Sequence, residues 1–450
     1  MTKRIAIIGA GPGGYPAALK AAALGAQVTL IEKGHAGGVC LNCGCIPSKS
    51  LLDAAHKFDG VKKLAALSSS PEKAQEFFNT FDFAKIQTRR QGVTDRLKRG
   101  LLSVFKAAKI NYIEGSASFV SDKELTVNGQ SITFDDVIIA AGSTAFYPAP
   151  FDKYKDKLFD NSNIFTLQNV PARLTIIGGG VIGCEFACIF NALGSKVTIV
   201  EMLPSIVAVE DEDSIRVLKT SFEKRGIKLL TGRSAKDIKF EGNLKQILLD
   251  DGSIVESEEV LVAVGRSVDL TELKPEAAGI TWTRKGIAVD PKTLKVKDNI
   301  YAVGDVNGLC LLAHAATAQG EVAAELIMGH NAAYDNDLIP KAIYTWPEVA
   351  SVGLNKKEAA AKGIEVKAHK FFMLANGRAL TQDEGEGFTQ ILSDVKTGKI
   401  VGAQIVGPSA AELVHIPLLA IHAGMTAGQV AKIVFAHPTV SETIKDALNK

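Results

Sequence analysis

Several features that would mark a class are absent from this chain. No stretch reaches about 18 consecutive apolar residues, so no membrane-spanning helix is expected. No run of Lys and Arg is present, and 51 basic against 49 acidic side chains leave a net charge of +2. A nucleic-acid or membrane surface is therefore not expected. The opening residues, MTKRIAIIGAGPGG, hold few apolar positions before Gly9 and run into a glycine turn rather than a cleavage site, so no targeting segment is expected. Cysteine is scarce as well. Six in 450 residues exclude a secreted disulfide scaffold and make a reducing, cytoplasmic compartment the default. A disulfide kept there has more reason to be redox-active than structural. With 46% hydrophobic residues, the length suits a soluble protein of roughly two to four domains.

What is present is a repeat. RIAIIGAGPGGYPAALKAAALGAQVTLIE at 4–32 lies over RLTIIGGGVIGCEFACIFNALGSKVTIVE at 173–201 at an offset of 169, without a gap and with 13 of 29 positions identical. Each copy starts with a short β-branched run. Glycines follow at the first, third and sixth places: Gly9, Gly11, Gly14 and Gly178, Gly180, Gly183. A helical stretch and a second strand come next, ending at Glu32 or Glu201. The first glycine makes a tight turn, the second lets backbone approach a pyrophosphate, and the third lets helix pack on strand. Free N–H groups at the helix start face the phosphates, and the acid accepts hydrogen bonds from an adenosine ribose. Two dinucleotide sites are expected. Glu201 would repel a 2′-phosphate and no arginine cluster follows it, so the second site favours NAD over NADP.

Elsewhere the pattern is coarser. FDDVIIAAG at 134–142 and EVLVAVG at 259–265 read as strands ending in glycine turns at Gly142 and Gly265, and NIYAVGD at 299–305 as a strand closing on Asp305. Asn128-Gly129 and Asp251-Gly252 predict hairpins over 125–134 and 244–254, while 68–71 and 147–150 read as turn or linker. From Lys341 on, a separate α/β unit is expected, with strands at 349–352 and 400–406 and a helix over 411–423 interrupted or started at Pro417.

Half the cysteines fall in one stretch, GGVCLNCGCIPSK at 37–49, with a helix predicted over 48–56. Cys40, Cys43 and Cys45 lack the fourth, paired ligand a zinc site wants. Cys184, Cys188 and Cys310 read as buried apolar residues. A helix start stabilises a thiolate, and two thiols there can cycle between dithiol and disulfide. A flavin beside one of them would supply the electron route.

GGxCLNxGCIPSK, the two glycine units and the FAHPTVSE run at 435–442 together make this chain resemble the FAD-dependent pyridine nucleotide–disulfide oxidoreductases. The resemblance runs nearly end to end. It implies an α/β fold of two Rossmann-like three-layer nucleotide-binding domains plus a C-terminal α/β dimerisation domain. The matching layout places the FAD-binding domain at 1–145 and 265–335, the NAD-binding domain at 146–264 and the interface domain at 336–450. It implies that Cys40 and Cys45 form the active disulfide, with Cys43 a bystander. Lys49 would sit near the flavin N5 and pair with Glu185, and Asp305 would hold the flavin's ribityl or phosphate region. His437 would be the acid–base and Glu442 its orienter, with the bond before Pro438 cis. Phe435 stands where the family usually has a further histidine. The resemblance also implies a homodimer in which His437 and Glu442 reach the disulfide of the other subunit.

Within the family, the tail SETIKDALNK has no second cysteine pair, and Glu201 argues against NADP-using branches. CIPSKSLLDAAHKF at 45–58, IYTWPEVASVG at 343–353 and ANGRAL at 375–380 are similar to the branch that oxidises dihydrolipoamide on a lipoyl-bearing protein of a 2-oxo-acid dehydrogenase or glycine cleavage complex. In that scheme His437 deprotonates a substrate thiol that attacks Cys40. Cys45 leaves as a thiolate beside the flavin, and electrons pass on to NAD+. GRSVD at 265–269 and LLAHAATAQG at 311–320 depart from the branch pattern. They keep open an NAD(P)H-dependent reductase of another small or coenzyme disulfide.

Overall fold

The computed structural model describes residues 2–65, 67–70, 73 and 81–449. The two glycine units build two sheets, the second all parallel and the first parallel but for its edge strand Lys295–Lys297. In the first, strand Arg4–Ile8 lies between Gln27–Glu32 and Asp136–Ile139, and the six-stranded order runs Lys295–Lys297, Ile300–Ala302, Asp136–Ile139, Arg4–Ile8, Gln27–Glu32, Asn111–Glu114. The chain thus leaves this sheet after Ile139 and returns at Lys295. Its central strands are buried on both faces (Ile5, Ile7, Val137, Ile138 and Ile139 are sealed), which is why they read as continuous apolar runs rather than alternating ones. The second sheet is four-stranded and parallel: Lys228–Thr231, Lys196–Glu201, Arg173–Ile177, Glu259–Val262.

The repeat is conserved down to register. Arg4 pairs with Gln27 in one sheet and Arg173 with Lys196 in the other. The first glycine of each unit requires the left-handed region, at φ +100° for Gly9 and +108° for Gly178. A Cβ there would lie 2.3 Å from the carbonyl oxygen of Ala140 or Ala263, so only glycine lets the turn nest against the neighbouring strand. The helix Gly14–Ala23 packs Ala17, Ala18 and Ala21 with Ala323 and Ala324 of the helix Ala313–Ile327. Small side chains allow the two to approach closely.

Antiparallel hairpins turn at Asn128-Gly129 and Asp251-Gly252, as expected. The C-terminal unit is a five-stranded antiparallel sheet, Lys341–Ile343, Glu348–Gly353, Ile400–Gly407, Phe388–Asp394, Val366–Phe372. Its last two strands in that order were not read from the sequence. Helices Ala410–Leu413 and His415–His422 replace the single helix over 411–423. Pro417 falls in the first turn of the second, where its missing N–H costs nothing.

Two expectations are corrected. The helix after the cysteines is Cys45–Ala65, much longer than 48–56: Leu51, Ala54, Ala55 and Phe58 give it a continuing buried face. Cys310 is only half-buried, lying in the loop between Asp305 and the helix Ala313–Ile327, whereas Cys184 and Cys188 are buried. The segment 68–71 is a bend at residues 68 and 69; Pro71 lies outside the described residues. Among the described residues, no helix is long and apolar enough to cross a membrane, and no group of three His, Cys, Asp or Glu is placed to hold a metal.

Candidate active site

The redox segment hangs on the first glycine unit. Gly37 and Gly38 take φ of +94° and +58°, and a Cβ on Gly38 would lie 2.7 Å from Gly11 Cα. The double glycine lets this chain segment seat against the first nucleotide loop. Helix Gly38–Cys43 carries Cys40, and Cys45 is the first residue of the helix Cys45–Ala65. The short helix Gly38–Cys43 and the start of the long helix Cys45–Ala65 thereby bring the two thiols into a mutual hydrogen bond. They do not behave alike. The bond from Cys40 is the main cause holding the Cys45 thiol down at about pH 7 against its burial, with the Lys49 charge helping; Cys40, hydrogen-bonded to Cys45 and buried, is pushed up. One thiolate is therefore shared by the pair and sits on Cys45. Cys43 points elsewhere. Burial raises its thiol pKa, with Ser162, Arg266 and Asp160 as its polar neighbours.

Lys49, one turn along from Cys45, reaches into the second unit. Its Nζ lies 2.9 and 2.7 Å from the two carboxylate oxygens of Glu185, which is buried on the helix Val181–Ala192 directly after the second glycine motif. Tyr344 holds both partners. Its backbone N–H donates to Glu185 Oε1 at 3.1 Å, and its ring centroid lies 4.4 Å from the Lys49 ammonium. The pair joins three parts of the chain: the redox helix, the second nucleotide unit and the C-terminal unit. Tyr344 was not singled out from the sequence, although it lies within the IYTWPE stretch that carried the resemblance.

The two acids act identically on their loops. Glu32 accepts the N–H groups of Ala10 and Gly34, both at 2.7 Å; Glu201 accepts those of Gly179 at 2.6 Å and Leu203 at 2.7 Å. Each carboxylate braces its glycine turn and keeps lone pairs free for a further donor. The nearby Arg233 guanidinium is engaged by Asp251 at 3.1 Å. At the second glycine, a Cβ on Gly180 would meet nothing within 4 Å, and one on Gly11 only Gly38 Cα at 3.8 Å. Backbone at this place is open to an approaching phosphate in both units, which fits a dinucleotide at each.

Asp305 lies in a polar knot. Ser143 Oγ donates to its Oδ2 at 2.5 Å, and Arg266 Nε donates to Ser143 Oγ at 2.7 Å and lies 3.4 Å from Asp305 Oδ2. These residues, with Arg284 and Lys285, line a cavity of about 270 Å³. Gly142 and Gly265, at φ +70° and +128°, turn the chain just before Ser143 and Arg266. Three cations, Arg266, Arg284 and Lys285, against the one carboxylate of Asp305 fit an anionic cofactor; among the residues around this cavity, the sequence reading names Asp305 alone as a site residue.

At the far end, His437 Nδ1 lies 3.1 Å from Glu442 Oε1, and Glu442 Oε2 accepts the Thr439 N–H at 2.8 Å. The Thr439 N–H first, and then His437, hold the Glu442 carboxyl below its ordinary range. The bond before Pro438 is cis. The His437 side chain is 82% exposed. Its ring contact is with Glu442, and among the described residues no bond links it to the thiols of its own chain.

The comparisons agree with this geometry. The family model "Pyridine nucleotide-disulphide oxidoreductase" matches residues 3–320, and that of the "Pyridine nucleotide-disulphide oxidoreductase, dimerisation domain" matches residues 339–448. A dihydrolipoyl dehydrogenase of Geobacillus stearothermophilus is 38% identical over 98% of this chain and 94% of its own length. Among solved structures, the HOCl-induced flavoprotein disulfide reductase RclA from Escherichia coli matches with a TM-score of 0.88 at 26% identity, over 99% of both chains. LpdA from Mycobacterium tuberculosis shares the fold with a TM-score of 0.92 at 24% identity, over 100% of this chain and 99% of its own. With paired thiols at a helix start, two braced glycine units and family matches over nearly the whole chain, this protein belongs to the pyridine nucleotide–disulphide oxidoreductases.

Proposed function

We propose that this chain oxidises protein-bound dihydrolipoamide to lipoamide and reduces NAD+ to NADH, using one non-covalent FAD per subunit in a homodimer with shared sites. The observation that carries the reading is the polarised thiol pair with an apolar groove beside it. A cavity of about 340 Å³ is walled by Tyr15, Leu41, Leu97, Gly100, Leu101 and Val104, with Arg96 as its one charged lining residue, and Leu41 directly follows Cys40. Such a lining suits a slender apolar dithiol arm better than a charged peptide disulfide, which would need polar partners along its length. The similarity to dihydrolipoyl dehydrogenases supports the same substrate.

The first glycine unit would hold FAD and the second NAD+, and the flavin would supply the two-electron route between the dithiol and NAD+. The chain's own residues then have separate duties. The partner subunit's His437, oriented by Glu442, takes the proton from one substrate thiol. The resulting thiolate attacks Cys40 Sγ, a substrate–Cys40 bond forms, and the Cys40–Cys45 bond breaks. Cys45 leaves as the thiolate its surroundings favour. The second substrate thiol displaces Cys40, releasing the oxidised disulfide and leaving the enzyme pair reduced by two electrons. Lys49, fixed by Glu185 and Tyr344, keeps a positive charge beside Cys45. Glu201, with no free arginine beside it, favours NAD over NADP. Cys43 takes no part. The chemistry suits a reducing, cytoplasmic compartment.

Two measurements test the proposal. The purified protein should be yellow, gain a long-wavelength thiolate–flavin band on two-electron reduction, and form NADH with dihydrolipoamide. Better turnover of another small or coenzyme disulfide would replace the substrate assignment. For the shared site, equal amounts of Cys45→Ser and His437→Gln chains, each inactive alone, should recover about a quarter of wild-type activity after subunit exchange. No recovery after proven exchange rules sharing out.

A further inference from the structure

We infer that the exposed basic stripe on the helix Phe83–Ala107 is the docking surface for an acidic carrier protein that delivers the dithiol arm into the neighbouring groove. The inference rests on the reading that the substrate is carried on a protein.

The helix holds seven basic residues and one acidic residue, Asp95, a charge of +6 in a chain of net +2, so the rest of the molecule is at −4. The basic residues are not scattered. At about 100° per residue, Lys85, Arg89, Arg96, Arg99 and Lys106 share one face about 32 Å long. All five are exposed, and the face lies opposite the buried side chains of Phe83, Ile86 and Phe105. The one carboxylate of the helix, Asp95, lies at its edge and is engaged by Gln91 Nε2 at 2.9 Å. Arg89 is paired with Asp53 at 2.7 Å, whereas Lys85, Arg99 and Lys106 have no side-chain partner among the described residues. A helix face that merely meets water gains from alternating signs, and like charges one turn apart are mildly destabilising. A row of one sign instead attracts a partner of the other.

The position completes the argument. Leu97, Leu101 and Val104 of the same helix form one wall of the apolar groove, and Leu41 beside Cys40 forms another; Arg96 belongs to both the groove rim and the stripe. Stripe and groove are adjacent faces of one rigid element. A carrier lying along the stripe would hold an extended arm at the groove mouth, with the cations setting encounter rate and orientation while the groove binds the arm. Free dihydrolipoamide has no use for the stripe.

The test compares holoenzymes, wild type and the triple variant Lys85→Glu, Arg99→Glu, Lys106→Glu, which leaves the groove residues intact. Each is assayed with free dihydrolipoamide and with a reduced, acidic lipoyl domain at about 20 and 200 mM salt. The expected result is a loss of at least tenfold in kcat/KM for the domain at low salt, with free dihydrolipoamide changed less than twofold. The wild-type rate with the domain should also fall as salt rises. The free-substrate rate reports folding. An unchanged rate with the domain, while free dihydrolipoamide still reacts, overturns the docking surface and spares the substrate assignment. Failure of wild-type enzyme on free dihydrolipoamide overturns both. Loss of a wild-type affinity for DNA in the variant, with the domain rate unmoved, assigns the stripe to nucleic acid and likewise overturns the proposal.

Discussion

The two glycine units are built to one pattern and face different surroundings. Both brace the turn with a glutamate that accepts two backbone N–H groups, at positions matched by the 169-residue offset. The first unit is the more crowded: the redox segment sits on its loop, with Gly38 packed against Gly11. The second is the more open at its second glycine, where nothing would meet a Cβ on Gly180. A shared architecture thus yields a more enclosed site and a more accessible one. Lys49 and Glu185 join the two.

The largest effect that would sharpen this contrast comes from Cys45→Ser. It should lower dithiol-dependent NAD+ reduction by on the order of 1000-fold or more, because no other thiol can take the leaving position. Flavin content should stay full, as the thiol belongs to the wall of the first unit and not to its loop. Next, Gly38→Val places a branched side chain where even a Cβ would be 2.7 Å from Gly11 Cα, so the purified variant should lose most of its yellow colour. Gly180→Ala in the open unit should retain flavin and raise only the KM for NAD+. If both variants lose flavin equally, the distinction between enclosed and open sites is wrong.

Lys49→Met tests the bridge. Cys45 reactivity toward iodoacetamide in the dithiol form should be half-maximal near pH 7, since its lowered pKa leaves the thiolate present above that value and protonated below it. Without the ammonium the midpoint should rise by about one unit, roughly 1.4 kcal/mol. The smallest effect is expected from Tyr344→Leu. Losing the ring beside a partly shielded ammonium is worth about 1 kcal/mol and should lower kcat several-fold, with Tyr344→Phe restoring it. A phenylalanine variant as slow as the leucine variant would assign the effect to the hydroxyl.

The legible parts of this molecule were those written locally. The glycine units could be read because each turn's steric demands fall within one contiguous segment. The hairpins at Asn128-Gly129 and Asp251-Gly252 were readable for the same reason. Strands Val366–Phe372 and Phe388–Asp394 were not: VKAHKFF mixes charged residues into the run, and Phe388–Asp394 carries buried Thr389, Gln390 and Ser393, whose side-chain bonds go to Thr443, Gln404 and His369 on other elements. At the site, resemblance supplied Cys40, Cys45, Lys49, Glu185, His437 and Glu442, and the structure brings each of the three pairs together. It does not bring the histidine pair to the thiols within one chain. Tyr344, and the bonds of Ser143 to Arg266 and to Asp305, could not be seen because they join positions more than 100 residues apart.

The exposure of His437 has a consequence for how such an enzyme is controlled. A polypeptide whose proposed proton-handling group serves the other subunit's sulfurs is half an instrument. Turnover would then depend on protomer concentration as well as on substrate, and progressive dilution should lower it.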